Sequence, residues 1–206
     1  MIRNRLLVDA DRKLLQDRIE LMFKHAPEMM SRKITEANVQ QAFILDTVLE
    51  LAGKDASILC VGSFEDTVME TLVKLGYNVF GIDPEINFSL EQYFNDSFKR
   101  YDIIFATSVI EHVKEDEKFL SQICDMLKPN GLGIITCDFN NEYVSGALVP
   151  ATVVRQYTRY DLEDRMQRVL RSHGCSLYGR SDWTAKPDFI YQGYLYSFAT
   201  FVFKRD

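Results

Sequence analysis

Three side chains in this 206-residue chain stand at the ends of apolar runs and have the chemistry to move a proton. Glu111 and His112 close the stretch "YDIIFATSVIEH", and Asp138 closes "GIITCD". A histidine titrates near neutral pH and can take a proton from a hydroxyl. Asp138 at a strand end can orient or deprotonate an acceptor. Each residue also has a structural alternative. His112 can hydrogen-bond a nearby loop, and Asp138 can serve a turn. Glu111, three residues after Ser108, has the spacing of a helix capping box. A second group lies in "CVGSFEDTV", residues 60–68, with one glycine, Gly62, and two carboxylates, Glu65 and Asp66. Asp83 ends "VFGID", just before Pro84. None of the four cysteines forms a CxxC or sits at ligand spacing from a histidine, so no metal site is expected.

The elements that must position these groups can be read from periodicity. Residues 1–55 read as an N-terminal helical segment, a lid or cap, with a helix from Thr35 to Leu51 that Thr35 caps and Gly53 ends. From residue 56 onward the pattern changes. "SILCVG", "YNVFGID", "YDIIFATS" and "GLGIITCDF" read as buried strands, and "EDTVMETLVKLG" and "EDEKFLSQICDMLK" as helices between them. Apolar strands alternating with helices predict a mostly parallel sheet covered on both faces. "YDLEDRMQRVLRSHG" reads as a further helix. "CSLYGRSDW" and "GYLYSFATFVFKR" have no helix between them and must pair antiparallel. The expected fold is α/β, a Rossmann-like doubly wound and mostly parallel sheet with a C-terminal antiparallel hairpin and N-terminal helices.

In such sheets the ligand lies beyond the carboxyl ends of the strands. "CVGSFEDTV" is the first strand-to-helix turn. Gly62 lets the backbone turn tightly there, and Ser63 and Asp66 have capping-box spacing for the next helix. A dinucleotide would put its pyrophosphate on that helix N-terminus. Glu65 and Asp66 would repel it. S-Adenosyl-L-methionine has no phosphate and carries a sulfonium and an ammonium, so an acidic, glycine-poor loop suits it better. Glu65 can equally be a helix-start residue without ligand contact. Asp83 can accept both hydroxyls of an adenosine ribose, or serve the turn before Pro84.

These stretches, with "LKPNG" before the "GLGIITCDF" strand and "RQYTRYDLEDRM" later, resemble the class I S-adenosylmethionine-dependent methyltransferases. The resemblance covers residues 57 to 206. It implies a methyltransferase domain over 56–206, seven strands in the order 3-2-1-4-5-7-6, and S-adenosyl-L-methionine as cofactor. It implies cofactor contacts at Gly62, Ser63, Phe64, Glu65, Asp83, Pro84, Leu90, Thr107 and Ser108, with Leu90 against the adenine and Ser89 beside it. His112 and Asp138 are the catalytic candidates. The chain departs from the family pattern at Cys60, Phe64 and Asp66, where an acidic residue and two glycines are usual, and its third-strand region, "NFSLEQYFND", is short.

The expected reaction is methyl transfer to a small polar acceptor. O-methylation of a sugar or related metabolite fits the polar residues Asn140, Glu142, Arg155 and Tyr157 of the long segment after Asp138. Trp183, Phe189, Tyr191 and Tyr194 are either core or acceptor wall. Two rivals are a non-catalytic S-adenosylmethionine-binding or scaffolding protein and a nicotinamide-dependent oxidoreductase. The second needs glycines after Gly62 and an uncharged first helical turn. Net charge is −6 and the pI is near 5.2, which argues against nucleic-acid or anionic-membrane partners. There is neither a signal peptide nor an apolar run of membrane length. A cytoplasmic location follows, with the cysteines as buried free thiols. Nothing in the sequence sets an oligomeric state.

Overall fold

The computed structural model describes residues 2–150 and 152–206. The chain begins with a strand, β1 (Asn4–Leu7), and four helices, α1 (Asp11–Leu14), α2 (Gln16–His25), α3 (Pro27–Arg32) and α4 (Ala37–Leu51). Then come β2 (Ser57–Val61), α5 (Thr67–Lys74), β3 (Asn78–Ile82), α6 (Leu90–Asp96) and β4 (Tyr101–Thr107). A 3-10 turn at Ile110–His112 leads to α7 (Asp116–Met126) and β5 (Leu127–Phe139). After a long crossing segment, a π-type turn at Asp161–Arg165 runs into α8 (Met166–Ser172). The chain closes with β6 (Cys175–Leu177), β7 (Ser181–Asp182), β8 (Phe189–Tyr191) and β9 (Tyr194–Arg205).

The sheet runs β3-β2-β4-β5-β9-β1-β7, with β6 and β8 also on β9. β3, β2, β4 and β5 are parallel neighbours, and β9 joins β5 antiparallel from Leu132↔Lys204 to Phe139↔Ser197. Alternate strand residues serve two cores, as a period of two requires. Ile58, Cys60, Ile103, Phe105 and Ile134 face α2, α4 and α5. Leu59, Val61, Ile104, Ala106 and Ile135 face α7 and α8. Both faces are covered, which is why the central strands read as unbroken apolar runs.

The class expected from the sequence is therefore the observed one, a Rossmann-like α/β fold, but four details differ. The first 55 residues are not all helical, because β1 pairs with β9 at Leu6↔Ala199 and Leu7↔Phe198. The family's third strand is replaced by α6, which a reciprocal cap between Ser89 and Gln92 nucleates. The sheet has nine strands among the described residues rather than seven, and the 3-2-1-4-5-7-6 order is changed accordingly. At the position beside β9 three short strands share one edge: β6 at one end, β1 in the middle and β8 at the other. "CSLYGRSDW" splits at Gly179, whose φ is +83°, and its second half, β7, pairs parallel with β1. The expected antiparallel pair is present as β6 with β9, and β8 forms a tighter hairpin with β9 through Gln192 and Gly193 at φ of 50° and 84°, a two-residue turn with both central residues in the left-handed region.

Between the short strands, side chains complete the edge of β9. Asn4 Oδ1 accepts the Val202 N–H at 2.6 Å, and Thr200 Oγ1 accepts the Arg5 N–H at 2.9 Å. Helix α4 starts at Ala37, with no side-chain cap from Thr35. It is buried almost all round, and its polar residues Asn38, Gln40 and Gln41 are as covered as its apolar ones. Those glutamines point toward the carboxyl ends of the strands.

Candidate active site

The carboxyl ends of β2, β3 and β4 open onto a cavity of about 660 Å³. A second cavity of about 230 Å³ adjoins it. Ala37, Gln40, Ser108 and His112 line both, so the two form lobes on either side of one shared wall.

The turn after β2 shapes the larger lobe. Gly62 and Ser63 both donate their N–H to the Ile82 carbonyl, at 2.9 and 3.1 Å, which ties the turn to the end of β3. Gly62 has φ of +81°, and a Cβ there would lie 2.4 Å from Val109 Cγ2, so conformation and space both demand glycine. The cap of α5 is Asp66, which accepts the Met69 N–H at 2.7 Å. This corrects the Ser63–Asp66 capping box: Ser63 is no cap, and Asp66 stands one step before the helix. Asp66 is buried, which raises its carboxyl above the usual range. The positive end of α5 is thus filled by the chain's own carboxylate, which leaves no phosphate site there.

Gly62, Phe64, Asp83, Pro84, Leu90, Thr107, Ser108 and His112 all line the larger lobe. Ser63 and Glu65 do not. Ser63 packs beside Gly81, and Glu65, at φ of 52°, turns outward to accept Arg32 Nη2 at 2.7 Å. Asp83 accepts the N–H groups of Phe64 at 3.2 Å and Glu85 at 2.8 Å. It therefore holds its own turn while still facing the lobe.

Asp138 lies in the smaller lobe with Glu111, Gln156, Tyr191, Tyr194, Tyr196 and Phe198. Glu111 is 1% exposed, and its Oε1 accepts the Asp138 N–H at 3.3 Å. Its side chain makes no helix cap. Burial pushes the Glu111 carboxyl up. Burial and then the charge of Glu111 push Asp138 up, with His112 pulling the other way. The two carboxyls thus resist simultaneous ionisation. His112 donates from Nδ1 to the Thr152 carbonyl, which leaves Nε2 as the acceptor of the neutral ring.

Sequence reasoning did not find Gln40 and Gln41. Gln40 Oε1 accepts Ser108 Oγ at 2.9 Å and Thr136 Oγ1 at 2.8 Å. Gln41 accepts from Thr67 Oγ1. Their signal was two adjacent amides inside the apolar run "VQQAFIL". Three of the polar residues expected to meet an acceptor are engaged elsewhere. The Tyr157 hydroxyl and Arg155 Nη1 each donate to Asp116 Oδ2 at 2.9 Å. Asn140 Nδ2 reaches the Leu195 carbonyl at 3.3 Å. Trp183 and Phe189 are core, whereas Tyr191 and Tyr194 line the smaller lobe.

Residues 35–184 match the family described as Methyltransferase domain. The chain belongs to that family. Its members are S-adenosylmethionine-dependent class I methyltransferases, as the motifs implied. A ubiquinone biosynthesis O-methyltransferase of Bradyrhizobium diazoefficiens is 30% identical over 109 residues, covering 44% of this chain and 43% of that protein. The human mitochondrial ubiquinone biosynthesis O-methyltransferase is 29% identical over 153 residues, 58% of this chain and 41% of that one. The methyltransferase chain thus spans well under half of these relatives' length. Among solved structures, the 1,6-didemethyltoxoflavin-N1-methyltransferase of Burkholderia thailandensis, with S-adenosylhomocysteine bound, has a TM-score of 0.59 at 14% identity. The match covers 97% of this chain and 91% of that one. Magnesium protoporphyrin IX methyltransferase from Synechocystis, also with S-adenosylhomocysteine, has a TM-score of 0.55 at 13% identity, over 95% and 100%. These two share the fold with this methyltransferase domain. No helix among its described residues is long and apolar enough to cross a membrane, and none of them form a cluster able to hold a metal ion.

Proposed function

We propose that this methyltransferase domain moves a methyl group from S-adenosylmethionine to the hydroxyl of a small, flat acceptor. The observation that carries the reading is the pair of lobes meeting at Gln40, Ser108 and His112, with the adjoining carboxyls Glu111 and Asp138 on the smaller side. The larger lobe suits a cationic nucleoside. A carboxylate, Asp83, stands at the end of β3, and Gly62 leaves room where the chain turns. Lys118, one of the two lysines on the lobe, is already paired with Glu91 and Glu115. Gly62, Phe64, Asp83, Pro84, Leu90, Thr107 and Ser108 would hold the cofactor. Ser63 and Glu65 act through the shape of the turn.

When bound, the cofactor supplies a methyl group already activated on sulfonium. The protein's part is to hold an acceptor oxygen in line with it. His112 Nε2 takes the hydroxyl proton as the oxygen–carbon bond forms and the carbon–sulfur bond breaks. Asp138, charged when Glu111 keeps the pair's proton, offsets the charge the imidazole gains. The expectation of a sugar rested on the polar segment after Asp138, and there Arg155 Nη1 and the Tyr157 hydroxyl are given to Asp116. Tyr191, Tyr194, Tyr196 and Phe198 support a phenolic or similarly flat acceptor instead. The N-terminal segment acts as a cap through Lys33, Ala37, Gln40 and Gln41 on the larger lobe. Four unpaired, buried cysteines support a reducing, cytoplasmic setting.

The test is a labelled methyl-transfer screen over small phenols, sugars and sugar nucleotides, beside calorimetry with S-adenosylhomocysteine. Transfer to phenols supports the reading. Transfer to sugars alone overturns the acceptor class, and binding with no transfer favours a non-catalytic binder. A lobe that takes a dinucleotide but not the thioether overturns the cofactor.

A further inference from the structure

Gln122 plays no part in the chemistry above, yet its setting calls for a ligand. It lies on α7, is 7% exposed, and lines the larger lobe with Leu90, Val113 and Phe119. None of the side-chain hydrogen bonds of the described residues involves its carboxamide, and the residue borders the cavity. Gln40 and Gln41 are as buried, but their carbonyl oxygens are committed to Ser108, Thr136 and Thr67. A carboxamide on a cavity wall with its donor and acceptor uncommitted to protein is free to pair with what enters.

The surroundings say which part of a nucleoside that is. The wall made by α6 and α7, with Ile82 at the end of β3, is apolar at Ile82, Leu90, Val113 and Phe119. Besides Gln122, the polar side chains on that wall include the exposed Glu91–Lys118 pair, and Gln40, Gln41, Thr107 and Ser108 come from α4 and the end of β4. Where the family has a third strand, this chain has α6 packed on α7, so α7 helps close the apolar side. A carboxamide offers one acceptor and one donor in a single plane. An aminopurine edge presents the complement, an exocyclic N–H beside a ring nitrogen that accepts, the pairing by which Gln reads adenine in DNA.

We propose that Gln122 reads the adenine ring, its Oε1 accepting from the exocyclic amine and its Nε2–H donating to the adjacent ring nitrogen. The assignment rests on the cofactor reading above and makes Gln122 a specificity residue for the base. The test is calorimetry on the whole chain with two ligands, S-adenosylhomocysteine and its analogue whose purine lacks the exocyclic amine. The wild-type protein should bind the analogue about tenfold more weakly, the scale of one hydrogen bond to a buried partner. Gln122→Leu, which keeps the bulk and suits the apolar wall, should bind S-adenosylhomocysteine about tenfold more weakly and no longer distinguish the two. Melting temperature checks that the variant is folded, and Gln122→Met replaces it if it is not. Equal discrimination by wild type and folded variant would remove Gln122 from the purine. Failure of the wild type to bind either ligand would remove the cofactor reading itself, and this inference with it. Weak S-adenosylhomocysteine binding by the variant with discrimination intact marks Gln122 as packing only and also overturns the proposal.

Discussion

Two groups of buried carboxylates stand close together in this fold and are treated in opposite ways. Asp116 sits among donors: Arg165 Nη1 and Nη2 at 3.0 and 2.9 Å, Arg155 Nη1 at 2.9 Å and the Tyr157 hydroxyl at 2.9 Å. Burial opposes its charge, but hydrogen bonds and charge from Arg165, then Tyr157 and Arg155, hold the carboxyl below its usual range. Glu111 has one backbone donor at 3.3 Å, and its Oε2 is buried with no partner among the described residues. Its neighbour Asp138 adds like charge. Evenly paired charge fixes a structure, and under-paired charge keeps a proton available. The first group pins the crossing segment to the start of α7, and the second faces the smaller lobe. The contrast separates scaffold from chemistry without reference to any relative.

The largest effect should come from Asp116→Ala. It leaves Arg155 without its partner and Arg165 with only Asp161 and Glu117, and should cost about 3 kcal/mol, read by urea unfolding. A loss below about 1 kcal/mol would mean the cluster is no anchor, and the contrast would fail. His112→Gln should lower methyl transfer by about 100-fold while S-adenosylhomocysteine affinity stays put. An equal loss in both would make His112 a structural residue held by Thr152. Asp83 lies between the two kinds, accepting two backbone N–H groups yet facing the lobe. Asp83→Ala should weaken cofactor binding by about 1–3 kcal/mol, and unchanged affinity in a folded variant would take Asp83 out of the site.

The smallest effect concerns pH. Glu111 and Asp138 have folded pKa values raised above their unfolded ones. The stability they allow is fully present below the ordinary carboxylate range of about 4 and is lost as pH rises through the raised values. Asp116 is lowered, so its contribution is present above the ordinary range and is lost as pH falls through the lowered value. Glu111→Gln should therefore flatten the decline in melting temperature on the alkaline side and stabilise the protein by about 1 kcal/mol near pH 8. Asp116→Asn should flatten the acid side only. The reverse pattern would exchange the roles of the two groups.

What could be read from the sequence was what local pattern encodes. Each buried strand of the parallel core announced itself by an apolar run of strand length, and the turns after β2, β3, β4 and β5 gave Gly62, Asp83, Ser108 and Asp138 their place at the carboxyl ends. What could not be read depends on distant partners. "NRLL" is four residues with a charged one inside, and only the free edge of β9 makes it a strand. Ser63 and Asp66 have cap spacing, but the tie of Gly62 and Ser63 to Ile82 pulls Ser63 into the turn and passes the cap to Asp66. Arg155 and Tyr157 look like polar lid residues until Asp116 claims both. The amides of α4 stand out in an apolar run, yet Ser108 and Thr136, which fix Gln40, lie far along the chain.

The edge of β9 has a consequence for the order of assembly. β1 is made before every other strand of this sheet, and its partners Phe198 and Ala199 emerge long after it. The four parallel strands can form earlier, from contacts between consecutive units. Until β9 emerges, the nascent protein carries an unmatched β1 and a bare flank on β5. Both invite association with other copies. Production should therefore be sensitive to anything that delays the emergence of β9, even with every central helix intact.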